Sequence, residues 1–92
     1  MNNRELCAAF ASGATSGRGS NMYIRGDVLF SYGAHWPLAI RRDGRNALLN
    51  SGRRSVTTSR HRTYAVSALV RAGFVLHDRT PEEMRAVVDG GT

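Results

Sequence analysis

The chain has 92 residues, 41% of them apolar and 22% charged, which fits one small domain and excludes a membrane span of the usual length, about 18–20 apolar residues. Its formal charge of +6 comes from 13 arginines, with no lysine, set against seven acids, so the favoured partner is an anion. A single cysteine, Cys7, excludes an internal disulfide and suits a reducing compartment.

Leu6, Ala9 and Phe10 have helical spacing behind a candidate cap at Asn3, so a short first helix is expected over 1–11. Its apolar stretch is too short for a secretory leader, and the expected location is the cytoplasm. Residues 12–21, SGATSGRGSN, are small or polar around one arginine and read as a flexible linker into an α+β core over 22–88. There, 22–25 and 28–32 flank Gly26-Asp27, a glycine-first pair that favours a tight hairpin. A second hairpin is expected from 37–42 through Asp43-Gly44-Arg45 to 46–50, with Pro37 at a strand start or edge because it lacks an N–H. Tyr64, Ala65, Ala68 and Leu69 then mark a helix over 59–72, capped by Thr57, Thr58 or Ser59 and closed by Gly73. Residues 74–77 read as a short strand. Thr80-Pro81-Glu82-Glu83 has the form of a capping box opening a last helix, whose apolar stripe is Met84, Val87 and Val88. The expected fold is α+β: an antiparallel meander of four to five strands, one main helix packed on a face, and short terminal helices.

The charge is local. Residues 41–62 hold Arg41, Arg42, Arg45, Arg53, Arg54, Arg60 and Arg62 against Asp43 alone, a balance of +6, while the flanking segments carry +1 and −1. Within this stretch, SGRRSVTTSRHR places Ser55, Thr57, Thr58 and Ser59 beside Arg60, His61 and Arg62 at a helix start, where free N–H groups and the helix dipole attract phosphate or carboxylate. Arginine there opposes the dipole, and a local rule broken in this way points to function. These residues form the candidate anion- or partner-binding set. Tyr32 and Trp36 are candidate aromatic contacts, with core filling as the alternative.

Catalytic material is sparse. Cys7, His35, His61 and His77 share no metal-ligand spacing, Cys7 has no base nearby in sequence, and Glu82, Glu83, Asp27 and Asp43 are accounted for by caps and turns. No metal, cofactor or enzymatic activity is expected. Arg25-Gly26-Asp27 is read as a hairpin tip rather than an adhesion motif.

The run Phe30-Ser31-Tyr32-Gly33-Ala34-His35-Trp36-Pro37-Leu38-Ala39, then Leu48-Leu49-Asn50 and Ser55-Val56-Thr57-Thr58-Ser59-Arg60-His61, resembles a pattern in small proteins of bacteriophages and mobile elements. Those proteins repeat Ser-Tyr-Gly at a strand end, Pro-Leu-Ala or Pro-Ile-Ala in the next, and Ser-x-Thr-Thr-Ser-(Arg/Lys)-His at a helix start. The resemblance covers about residues 23–72 and brings no catalytic residue. It implies an accessory protein acting stoichiometrically on the host, as anti-CRISPR proteins do. The expected partner is a host effector, such as a CRISPR surveillance-complex subunit, met through one basic face. The alternative is a small DNA- or RNA-binding protein contacting the phosphate backbone. Homo-oligomerisation through a strand edge, or through Leu6 and Phe10, is left open, and no membrane partner is expected.

Overall fold

A computed structural model describes residues 1–32, 36–52 and 56–90. Among them the elements run α1 (Asn3–Ala11), β1 (Ser16–Arg18), β2 (Met22–Arg25), β3 (Val28–Ser31), β4 (Pro37–Arg42), β5 (Asn46–Asn50), α2 (Val56–Arg71), β6 (Val75–Arg79) and α3 (Pro81–Gly90). The strands form one sheet in sequence order, antiparallel from β1 to β5 and parallel between β5 and β6. The α+β class, the main helix and the short terminal helices are as expected. The sheet has six strands rather than four or five, and its last pairing departs from a meander.

Period-two alternation decides which side chains enter the core. Met22 and Ile24 of β2 and Leu29 of β3 point to one face of the sheet, where Leu6 and Phe10 of α1 and Ala65 and Leu69 of α2 meet them. Tyr23 and Phe30 point to the other face, where their rings stack 5.0 Å apart. Leu29 pairs with Ala39 but Phe30 pairs with Pro37, so Leu38 is an extra residue in β4. This bulge turns both Leu38 and Ala39 into the α1–α2 core and seats Pro37 at the start of its strand. On the second face α3 covers the β4–β5 side, with Met84 against Ile40 and Leu48.

The turns follow their residues. Gly26, at φ +62, takes the first position of the two-residue loop closed by the Arg25–Val28 pair, while Asp27 has negative φ, the type II′ pattern. At the end of α2, Gly73 (φ +86) donates to Val70 O at 3.0 Å and Phe74 N–H to Leu69 O at 2.9 Å, a Schellman closure. The capping box of α3 forms as read: Glu83 N–H donates to Thr80 Oγ1 at 3.1 Å, and Thr80 N–H to Glu83 Oε1 at 2.9 Å.

Three boundaries differ from expectation. Asn2, not Asn3, caps α1, in a reciprocal box with Glu5. The main helix begins by Val56, so Thr57, Thr58 and Ser59 lie inside it, and a cap before Val56 falls outside the described residues. The segment read as a linker contains β1, with Ser16, Gly17 and Arg18 paired to Arg25, Ile24 and Tyr23. Backbone bonding, not side-chain burial, holds it: Gly19 N–H donates to Met22 O and Ser20 N–H to Asn3 Oδ1, both at 2.8 Å. A Cβ on Gly19 would lie 2.5 Å from Asn3 Oδ1, so the small residues there permit this close passage under α1. Leu6 and Phe10 are fully buried in the monomer and offer no contact to a second copy. No described helix is long and apolar enough to cross a membrane.

The cap on α3 sets a measurable contribution. Thr80→Ala should lower stability by about 1 kcal/mol, read as a fall of roughly 4–8 °C in the thermal midpoint. An unchanged midpoint would show that packing of Met84 alone holds α3.

Candidate functional site

The arginines of 41–62 do not form one surface. Arg41 is on the core side of β4, its side chain 9% exposed, its guanidinium 4.5 Å from the Phe10 ring centroid. It donates to Phe10 O at 2.7 Å and Gly26 O at 2.8 Å, and pairs with Asp27 at 3.1 Å. Arg45 donates to Ala72 O at the end of α2 at 2.5 Å. Both therefore work as structural donors to helix-terminal carbonyls. Arg42 is exposed beside them. Arg60 and Arg62 lie at the other end of α2, a helix of 16 residues, about 24 Å long at 1.5 Å per residue. There Arg62 donates to Asn50 O at 3.3 Å and meets Asp78 at 3.5 Å, and Arg60 is exposed. Arg53, Arg54 and Ser55 lie outside the described residues. The expected single basic face is thus divided between two ends of the sheet, and three of its five described guanidinium groups, those of Arg41, Arg45 and Arg62, are engaged internally.

The helix-start hydroxyls divide as well. Thr58 is buried, Thr57 half-buried, and Ser59 exposed with its carbonyl accepting from Thr63 Oγ1 at 3.1 Å. The two quoted motifs nevertheless converge, because Ser31 and Tyr32 from the first meet His61 from the second. His61 is buried, with Nδ1 2.7 Å from Ser31 Oγ and Nε2 3.3 Å from Asn3 Nδ2. Ser20 N–H donates to Asn3 Oδ1, which fixes the amide so that Nδ2 donates to His61 Nε2. The imidazole proton then sits on Nδ1 and is donated to Ser31 Oγ. Burial, and then the Arg60 charge, hold the His61 pKa below its ordinary value of 6.5. Ser31 is fully buried, and burial pushes the Cys7 thiol up to about 12, so neither is an accessible nucleophile.

Tyr32 is 39% exposed and stacks on the His61 ring at 5.6 Å, in a left-handed backbone conformation (φ +61) rare for an aromatic residue. Its N–H donates to Asn21 O at 2.8 Å, and Asn21 is also left-handed, at φ +62. Strain of this kind persists where surrounding structure imposes it and collects at functional positions. Trp36, by contrast, is half-buried and packs against Gly52, sharing that space with Pro81, so it is a packing residue and not an open contact. His35 lies outside the described residues.

Tyr32 lines a hollow of about 730 Å³ beside β1 and β2, together with Arg18, Asn21, Met22, Tyr23, Ile24 and Arg25. No carboxylate is among its described lining residues, and neither arginine forms an ion pair with a described acid. Register explains the grouping. Arg18 lies opposite Tyr23 in the β1–β2 pair, which puts both side chains on the second face, and Arg18 rests 5.9 Å from the Tyr23 ring centroid. Arg25, two residues from Tyr23, shares that face. The alternation in Met22-Tyr23-Ile24-Arg25 was the available signal for Tyr23 and Arg25; Arg18 was hidden by the linker reading. Among the described residues no group of three or more potential metal ligands occurs.

No known family matches this chain, nor does any curated protein or solved structure.

Two outcomes test these placements. Arg41→Ala should lower stability by about 1–3 kcal/mol, since it leaves the part-buried Phe10 carbonyl unpaired and removes a buried side chain, whereas Arg42→Ala should change it by less than about 0.5 kcal/mol; denaturant midpoints compare them. His61, with its pKa depressed in the folded state, contributes stability that is full above its ordinary pKa and lost as pH falls through 6.5 toward the lower folded value. Stability of the native chain should therefore fall below about pH 6.5, and His61→Gln should flatten that part of the profile.

Proposed function

We propose that this protein acts stoichiometrically, by binding nucleic acid in the hollow beside β1 and β2. The observation that carries this reading is the lining itself: two arginines and two tyrosines, with no described carboxylate among them. Guanidinium groups answer phosphates, and tyrosine rings offer stacking platforms to bases that are not held in a duplex. Phe30 supports the platform, buried behind Tyr23 in a near-parallel stack of 18° interplanar angle. Such a site binds and releases its ligand without bond chemistry, in keeping with the burial of Ser31 and Cys7.

A second reading is an inhibitor of host nucleic-acid-targeting defence, in the manner of anti-CRISPR proteins, docking on an effector subunit. Its support is Tyr32, an exposed aromatic held in a strained backbone and stacked on His61, whose chain neighbour Arg60 is also exposed; both residue types are common at energetic centres of protein interfaces. It no longer rests on one arginine face.

Fluorescence anisotropy with labelled single-stranded and duplex oligonucleotides separates the two. Single strands should bind more tightly than duplexes, with affinity falling steeply as salt rises. Arg18→Glu with Arg25→Glu, or Tyr23→Ala alone, should each weaken binding about tenfold or more without lowering the thermal midpoint by more than a few degrees. Equal binding by the charge-reversed variant, or no binding by the native chain, would discard the nucleic-acid reading.

A further inference from the structure

The face opposite α3 carries a second depression, a groove of about 550 Å³ between α1 and α2. Its floor is made of short side chains, among them Ala8, Ser67 and Ala68, and no carboxylate lines it. A cation stands at each end. The Arg4 guanidinium lies over the Tyr64 ring, 5.2 Å from its centroid, and Arg71 lies seven residues further along α2, a rise of about 10 Å. Neither arginine pairs with a described acid.

The outward side of α3 has the opposite pattern. Met84, Val87 and Val88 face the sheet, which leaves Glu82, Ala86 and Asp89 along one exposed stripe at i, i+4 and i+7. Glu82 and Asp89 are also seven residues, about 10 Å, apart, with a methyl group midway between them. Asp89 has only a 4.0 Å contact with Arg85 one turn back, a weak exposed pair that a closer partner would displace. An acid–alanine–acid ridge on one side of the molecule thus complements in sign an arginine–small–arginine groove on the other, and both extend along about two helical turns.

We infer that the α1–α2 groove receives α3 of a second copy of this chain, Glu82 and Asp89 meeting Arg4 and Arg71 while Ala86 settles on the groove floor. Ridge and groove lie on opposite faces of the sheet, so the contact is head-to-tail and leaves one free groove and one free ridge after each addition. It builds a ring or an open array rather than a two-fold dimer. The net charge of +6 opposes close approach of copies. At about 0.1 M salt that repulsion is screened beyond roughly 10 Å, whereas contact pairs are screened much less.

The test is sedimentation velocity at 0.1 M NaCl over a hundredfold range of protein concentration. The native chain should show weight-average mass rising with concentration and reverting toward monomer at 1 M salt. A groove variant, Arg4→Glu with Arg71→Glu, and a ridge variant, Glu82→Arg with Asp89→Arg, should each stay monomeric, because each lacks one half of the contact. Mixed in equal amounts, they should assemble again, since the native ridge of one meets the native groove of the other and the two reversed surfaces are themselves complementary. All four positions are exposed, and circular dichroism checks folding; Glu82→Gln with Asp89→Asn replaces the ridge variant if that one fails to fold. A native chain that stays monomeric throughout, a groove or ridge variant that still assembles as the native chain does, or a mixture that stays monomeric, would overturn the inference.

Discussion

Parallel strands cannot be joined by a tight turn, and that constraint arranges most of this molecule. To place β6 alongside β5 in the same direction, the chain must return along the full length of the sheet, and α2 is that return path. The crossover lays an apolar stripe of α2 beside α1 and completes the core around Leu6, Phe10 and Leu69. The strand β5 itself carries the residues just before it and the residues just after it to opposite ends of the sheet. A stretch of arginines contiguous in sequence is therefore divided in space by topology alone.

The two ends use their arginines differently. At the β4–β5 turn, Arg41 reaches the final turn of α1 and Arg45 the Ala72 carbonyl just after α2, so the hairpin supplies cations to two helix C-termini that end nearby. The planar donor fork of arginine suits this work, because one guanidinium can serve several carbonyls at fixed angles. At the far end, His61 rather than an arginine organises the structure. Its ring joins α2, β3 and α1 through Ser31 and Asn3, and Asn3 in turn holds Ser20. The result is a neutral hydrogen-bonded hub under an exposed tyrosine, where sequence alone shows only a polar run.

Much of the fold was legible because local chemistry and tertiary structure agree. The Gly26-Asp27 hairpin, the 43–45 turn, the Gly73 closure and the Thr80 capping box each rest on a few adjacent residues. What escaped was non-local. The pairing of β1 depends on backbone groups that every residue carries, so Ser16-Gly17-Arg18 gave no compositional sign. The direction of β6 depends on the crossover and not on residues 75–79 themselves. The candidate site suffered most. Summed charge cannot tell a guanidinium bonded to a buried carbonyl from one facing solvent, and the residues that gather around the hollow, Arg18, Tyr23, Arg25 and Tyr32, come from segments that sequence reading had assigned separately. The Ser-Tyr and Thr-Thr-Ser-Arg-His pieces lie far apart in sequence, and their meeting at His61 is a property of the folded chain.

Cys7 gives the molecule a built-in reporter. Its thiol is buried in the core that α1 shares with α2 and the sheet and is held almost wholly protonated at neutral pH, so alkylating reagents and mild oxidants meet an unreactive group while that core is closed. Any modification of the sulfur must then proceed through opening of the core around α1. The rate at which the thiol is consumed measures how often that opening occurs, with no label to be introduced and no residue to be changed.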